Sequence, residues 1–299
     1  MKFFLKMRLF VLQSALIYCL LSFSACQHRN DNSTAIKTTS DSISKQVIAI
    51  SAGWDHNCAL TMAGVKCWGD NSFGQTTVPA LTNATQVSAG MIHSCALTAD
   101  GVKCWGNNQY GQTSVPTLKS PTQVAAGAKN TCSLAVDGVN CWGYWQAVPM
   151  LNNPTQVSAG FSHYCALTTD GVKCWGVDEQ KTKVPKLNNP TQVSAGLDHS
   201  CALTMDGVRC WGDNKYGQTT VPSLNNPTQV SVGAYHTCAL TTDGVRCWGY
   251  NQYGQTTVPA MTNPTQVSAG RYHTCALTAN GVKCWGDNYY GQTTVPIGL

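Results

Sequence analysis

Of the 299 residues, 43% are hydrophobic and only 11% charged, and 27 glycines and 12 prolines are scattered along the chain. An average soluble protein carries about 25% charge, and neither a disordered chain nor a coiled coil has this balance. Three of the charges behind the formal +5 (Lys2, Lys6 and Arg8) lie in an N-terminal leader, which leaves +2 for the remainder. So small an excess gives no electrostatic case for a nucleic-acid partner.

The chain begins with a short basic stretch, then runs almost wholly apolar from Leu9 to Ala25 and ends on Phe23-Ser24-Ala25-Cys26. A charged start, an apolar run and a small-residue exit describe an export signal over residues 1–25. The run is 17 residues long, short of the roughly 20 that a membrane-spanning helix needs. Ser-Ala-Cys resembles the cleavage box of bacterial lipoproteins, which implies lipidation of Cys26, although Phe23 stands where that box usually has Leu. Residues 26–45 are rich in Ser, Thr, Asn, Asp and Lys and read as a polar tether. The expected location is therefore the bacterial cell envelope, with the chain held to the membrane through a lipid only.

From residue 46 to 299 the sequence repeats itself. Trp-Gly occurs seven times, with tryptophans at 68, 105, 142, 175, 211, 248 and 285, each preceded by Cys. The unit reads TQVSAG, two variable residues, H-x-CALT, x-DG, VKCWG, a variable loop, then GQTTVP. Gln-Val-Ser-Ala, Cys-Ala-Leu-Thr, Val-Lys-Cys-Trp and Thr-Thr-Val are four short β-prone runs punctuated by Gly, Asn and Pro. Four strands every ~37 residues is the spacing of β-propeller blades, and seven is a usual blade number. The first and last units match the middle ones, whereas an open solenoid needs atypical caps. The expected fold is all-β: a seven-bladed propeller of four-stranded antiparallel blades. Ring closure is left open between two schemes. Residues 46–52 either complete the last blade or start the first.

The unit VSAGMIHSCALTADGVKCWGNNQYGQTSVP resembles the repeat of the regulator of chromosome condensation family through its Ala-Gly, His, Ala-Leu, Asp-Gly, Trp-Gly and Gly-Gln. The short repeat and its GDNYYGQTTVP ending are similar to a secreted β-lactamase-inhibiting relative. The resemblance implies the seven-bladed fold. For function it is broad, because the family hosts nucleotide exchange factors and inhibitors alike.

Each Cys before Trp-Gly has a partner nine positions upstream: Cys58/Cys67, Cys95/Cys104, Cys132/Cys141, Cys165/Cys174, Cys201/Cys210, Cys238/Cys247 and Cys275/Cys284. A four-residue loop, Thr98 to Gly101, would set Cys95 opposite Cys104 and Leu97 opposite Val102, within disulfide reach. One disulfide per blade is the reading preferred over free thiols or a metal site, because exported thiols pair and zinc cysteines usually stand two to four residues apart. His56, His93, His163, His199, His236 and His273 recur at one position, with Asn130 in the third unit. Six equivalent copies suggest a structural hydrogen bond, fixing the loop after Ala-Gly, rather than catalysis. The repeated tryptophans read as wedges between blades.

Function is then sought where the units differ. Two loops vary, after Ala-Gly and after Trp-Gly, and an up-and-down blade places both on one rim, opposite the Asp-Gly turns. The best partner-binding residues are Trp54, Tyr144, Trp145, Phe161, Tyr235, Tyr250, Arg271 and Tyr272, since Tyr, Trp and Arg dominate binding hot spots. Phe73, Tyr110, Tyr216, Tyr253 and Tyr290 recur before Gly-Gln and read as scaffold packing. Asp178, Glu179, Lys181 and Lys183 make the rim asymmetric. No nucleophile elbow, phosphate loop or unique carboxylate pair is present, and the recurring acids are turn Asp residues. The expectation is a non-enzymatic protein-binding propeller with no cofactor, no metal and a partner of unknown identity. Guanine-nucleotide exchange on a small GTPase and inhibition of a β-lactamase are the alternatives.

Overall fold

The computed structural model describes residues 46–144 and 147–299. The expected export signal, Cys26, the tether up to residue 45 and Trp145 lie outside the described residues. Every repeat builds one antiparallel sheet, and the seven sheets follow one another in chain order. In the first blade the inner strand is Val47–Ala52, the middle strand His56–Thr61 and the outer strand Gly64–Gly69. Residues 47–52 pair with the middle strand of their own unit, so each repeat is one blade.

The blades have three strands where four were expected. Thr-Thr-Val forms no ladder because its backbone is engaged locally and Pro, which lacks a donor, follows it. In the first unit the Thr76 amide donates to Asn71 Oδ1 (3.0 Å) and the Thr77 amide to Gly74 O (3.1 Å). Val78 and Leu81 instead pack onto the apolar cluster between blades one and two. The outer strand is thus an unpaired edge. Exposed Lys66, Lys103, Lys173, Arg209, Arg246 and Lys283 lie along six of these edges, and such charge blocks pairing with another chain.

The expected register is present, with Cys95 opposite Cys104 and Leu97 opposite Val102. The turn is tighter than expected. Thr98 pairs with Gly101, leaving two residues in the loop, and Thr98 Oγ1 accepts the Asp100 amide while donating to Gly101 O. Gly101 takes φ 108°, where a side chain would be strained.

Every blade carries its disulfide: Cys58–Cys67, Cys95–Cys104, Cys132–Cys141, Cys165–Cys174, Cys201–Cys210, Cys238–Cys247 and Cys275–Cys284, with Cα atoms 4.0–4.1 Å apart. The two ends of each bridge differ in setting. The middle-strand cysteine is buried in all seven blades. Its partner on the outer strand (Cys67, Cys104, Cys141, Cys174, Cys210, Cys247 or Cys284) is half-buried, because the edge beyond it has no fourth strand to cover it.

The core lies between blades. One cluster joins Cys95, Val102, Val124, Ala126 and Trp142 across blades two and three; another joins Ile50, Ala59, Trp68, Cys275 and Leu277 across the seam between last and first blade. Inner strands are also laced together. Ser88 Oγ accepts the Ala126 amide (2.9 Å) and Gln86 Oε1 that of Val124 (2.9 Å). Gln266 and Ser268 do the same for Ile50 and Ala52, which closes the ring. At the channel, a Cβ on Gly90 would stand 2.4 Å from Gly127 O. The glycine that follows each inner strand, after Ala in six units and after Val232 in the sixth, is therefore what lets seven strands converge.

Candidate partner-binding rim

The recurring polar residues turn out to be inter-blade fasteners. Six histidines are wholly buried, and each Nε2 meets the next blade: His56 reaches Ser94 Oγ (2.9 Å), His93 Thr131 Oγ1 (2.8 Å) and His273 Asn57 Oδ1 (2.7 Å). This corrects the expectation that they fix the loop after Ala-Gly. Ser94 and Thr131 donate their own protons to Gln75 O and Gln112 O, so the imidazoles must donate through Nε2. Nδ1 is left buried without a partner in all six. Burial holds these imidazoles far below the usual value of 6.5, to about 3 for His56, His199 and His236 and about 4 for His93, His163 and His273. Asn130 holds the same place in the third blade, wholly buried, with its Oδ1 left without a partner. The residue that would face it is Tyr164, whose ring is buried and stacked on Trp175.

Six of the seven repeated tryptophans are buried wedges, and they have one further duty. Trp105 Nε1 donates to Gln75 O (2.9 Å) and Trp248 Nε1 to Gln218 O (2.9 Å), in each case across to the preceding blade. The buried Gln of Gly-Gln also clamps its own loop. Gln75 Nε2 donates to Asp70 (2.7 Å), Gln112 to Asn107 (3.1 Å), Gln218 to Asp213 (2.8 Å) and Gln292 to Asp287 (2.8 Å). In the fourth unit DEQKTK forms a four-residue helix, Glu179–Thr182, capped by Asp178. Lys181 O takes the place of the Gln carbonyl for Trp211 Nε1, and Lys181 Nζ pairs with Asp198 of the next blade at 2.7 Å.

Both variable loops do lie on one rim, joined in every blade by a hydrogen bond such as Asp70 N to Asp55 O or Tyr250 N to Tyr235 O. Six of the eight singled-out residues meet there. Trp54 and Phe161 stack at 5.9 Å although they belong to blades one and four, so they bridge the channel mouth. Arg271 lies over Trp54 on one side and Tyr272 on the other, 4.7 Å from each ring, and pairs with Asp55 at 3.5 Å. Burial raises the Asp55 carboxyl, with Arg271 opposing. Tyr272 stacks on Tyr235 (5.6 Å) and approaches Tyr250 (5.8 Å). Tyr144 stands apart, against Tyr110 and beneath Lys129.

Two members were missed. Tyr253 lies 4.8 Å from Tyr272 and Tyr216 4.8 Å from Tyr250, so both belong to the same cluster. Recurrence before Gly-Gln had marked them as packing, yet Phe73, Tyr216, Tyr253 and Tyr290 are 50%, 39%, 47% and 46% exposed. Tyr250 itself occupies the position where the other clamped loops have Asp or Asn. Gln255 Nε2 consequently has no partner although the residue is fully buried. The scaffold has given up a buried hydrogen bond to present this ring. Beneath the row, the channel encloses only about 80 Å³, against 300 Å³ or more for ordinary ligand pockets.

The profile of the regulator of chromosome condensation (RCC1) repeat matches residues 47–75, 84–112, 155–180, 191–218, 228–255 and 265–292, more than half of the chain. The chain belongs to this family. The third blade, without His and Gly-Gln, is the one the RCC1 profile passes over. Among solved structures the chain is similar to the CRINKLY WD40 ectodomain of the Arabidopsis thaliana receptor kinase ACR4, at 26% identity over 81% of this chain and 98% of that one, TM-score 0.67. It is also similar to the ectodomain of the Physcomitrella patens receptor kinase CR4 (24%, 81% and 73%, TM-score 0.70). The fold is also that of Prp20p of Saccharomyces cerevisiae (17%, 85% and 86%, TM-score 0.66), a protein described by its binding to Gsp1p and histones. No curated protein sequence matches the chain.

Proposed function

We propose that this RCC1-type propeller is an exported, lipid-anchored, non-enzymatic protein that binds a protein partner through the aromatic rim. The observation that carries the reading is the continuous row from Phe161 through Trp54, Arg271 and Tyr272 to Tyr250, built from the loops that vary. Its half-exposed Trp, Tyr and Arg side chains have the composition of interface hot spots. Seven disulfides suit an oxidising compartment. The chain enters at the opposite face, where Gln46 O accepts the Met62 amide of the first turn. A lipid on Cys26 would therefore hold the turn face toward the membrane and the rim outward. The test is capture of envelope proteins by the mature chain and by a Trp54→Ala/Tyr272→Ala double variant. A partner retained by the first and lost by the second is the expected result; identical profiles would sink the rim.

The likeness to Prp20p supports a second reading, nucleotide exchange on a small GTPase. That activity needs a cytosol, where thiols stay reduced. Acceleration of guanine-nucleotide release by the purified chain would put this reading first. Inhibition of a β-lactamase is a narrower form of the first reading, checked by adding the chain to a nitrocefin assay.

A further inference from the structure

The charge that guards six of the outer edges is missing from the seventh. Where the other blades carry Lys or Arg third in the outer strand, blade three has Asn140 in Gly138–Gly143. The bonding groups of this edge can be placed from the strand beside it. Asn130 O accepts the Gly127 amide (2.9 Å) and Leu134 O the Thr122 amide (2.8 Å), so Cys132, between them, also turns its backbone toward the inner strand. Cys141, opposite Cys132 with Cα atoms 4.1 Å apart, is then in a pair that exchanges no backbone bonds. Its N–H and C=O point outward, as by alternation do those of Val139, and no backbone group outside the blade meets either residue among those described.

An uncharged edge of this kind is a template for another strand, and the strand it fits is its own copy. Two such edges, antiparallel about a two-fold axis through Asn140, pair Val139 of each with Cys141 of the other through about four backbone hydrogen bonds. Asn140 then faces its symmetry mate. One N–H of each amide is held by Asp137 Oδ1 (3.2 Å), which leaves the second N–H and Oδ1 for the mate. The same pairing at any other edge that carries Lys or Arg would set like charges directly opposite, which is destabilising. Apolar surface follows the same register. Val136, 78% exposed, comes opposite Tyr144 of the second copy, and Met150, on the linker after blade three, is 92% exposed.

We infer that blade three is the self-association edge of the ring: two copies join their Gly138–Gly143 strands antiparallel about Asn140 into one six-stranded sheet. The joint lies on the perimeter and leaves both aromatic rims open, whatever they bind. It turns the two rims to opposite sides, which a 20-residue tether, up to about 65 Å when extended, permits on one membrane.

Sedimentation velocity of the mature chain carrying Cys26→Ser tests this, with neither lipid nor unpaired sulfur to join copies. The contact is small, so a monomer–dimer equilibrium with a dissociation constant of about 10–100 μM is expected. Asn140→Lys gives blade three the kind of residue its neighbours carry, and should fold with an unchanged Tm yet dimerise about tenfold or more weakly. Asn140→Cys should give a covalent dimer on air oxidation, linked through the two introduced sulfurs, because the axis brings them within disulfide reach. Lys103→Cys, at the same place in blade two, should stay monomeric. A native chain still monomeric at about 300 μM, a dimer that Asn140→Lys leaves intact, or equal cross-linking by both cysteine variants would each overturn the inference.

Discussion

Tyr250 shows how one residue can serve the surface against the interest of the fold. Four blades satisfy the buried Gln amide with Asp or Asn at this position, and a buried donor left unpaired costs about 1–3 kcal/mol. Tyr250→Asp should therefore stabilise the chain by about 1–2 kcal/mol, seen as a rise of several degrees in Tm; a fall would mean that ring packing outweighs the lost bond. Ser120 makes the opposite case, a position where the sequence has simply settled for less. It sits at φ 47° where the equivalent residues are Asn83, Asn153, Asn189, Asn226 and Asn263 at φ 43–48°. Asn tolerates this left-handed conformation and Ser does so poorly, so Ser120→Asn should add about 0.5 kcal/mol in a urea titration with an unchanged slope. The rim was legible at this scale as a list of aromatic residues at irregular positions. Tyr216 and Tyr253 escaped because recurrence was equated with burial. The clue available in the sequence was Tyr250 itself, standing directly after Trp-Gly where most units have a polar clamp.

A single blade is a poor hydrophobic object: three short strands with an exposed edge, whose faces are buried only by its neighbours. Local staples matter accordingly. Closing a loop of about ten residues is worth roughly 2–3 kcal/mol on the chain-entropy account, less where the hairpin is already ordered. Replacing Cys238 and Cys247 together by Ser is expected to cost about 2 kcal/mol, measured by denaturant unfolding under oxidising conditions. No loss would show that the hairpin alone sets the register. The register was legible because a side-chain period of two leaves little choice once Cys must face Cys. The absent fourth strand was not, since Thr-Thr-Val has strand propensity and only its environment decides. Asn71 takes the Thr76 amide, Gly74 O that of Thr77 and Thr76 O that of Val78, and Pro79 has none to give, so the ladder cannot form. The histidines were likewise read within one repeat, while their partners lie in the following one, about 37 residues on. A contact between repeats leaves no local mark beyond recurrence.

At the scale of the whole ring, those histidines set the acid limit of the molecule. Each is neutral when folded, meets the next blade through Nε2 and leaves Nδ1 buried without a partner. A proton on Nδ1 would be a buried charge without an acceptor, and burial accordingly lowers all six to about 3–4. Few charges stand close enough to change this: Asp70 faces His56, Lys181 and Asp178 face His163, and neighbouring histidines face one another. In the unfolded chain the same groups protonate near 6.5. Between these limits the unfolded state holds more protons than the folded one, so stability falls as pH falls. The loss begins below about 6.5 and stops only near 3–4, at about 1.4 kcal/mol per pH unit for each histidine. At pH 5 that is about 2 kcal/mol each and on the order of 12 kcal/mol for the six, comparable to the whole stability of a typical domain. Asp55, whose carboxyl is raised, works in the other direction but is a single group. The ring should therefore lose stability steeply and cooperatively between pH 6.5 and 4, with intact disulfides holding the hairpins of the opened chain. Thermal melts from pH 7.5 to 4.5 follow this directly. His236→Asn, whose shorter side chain cannot charge, should lower Tm at pH 7.5 and flatten its decline toward pH 5; a Tm that stays level in the native chain over that range would show that the seams accept protons and that the fasteners are not what holds the ring shut.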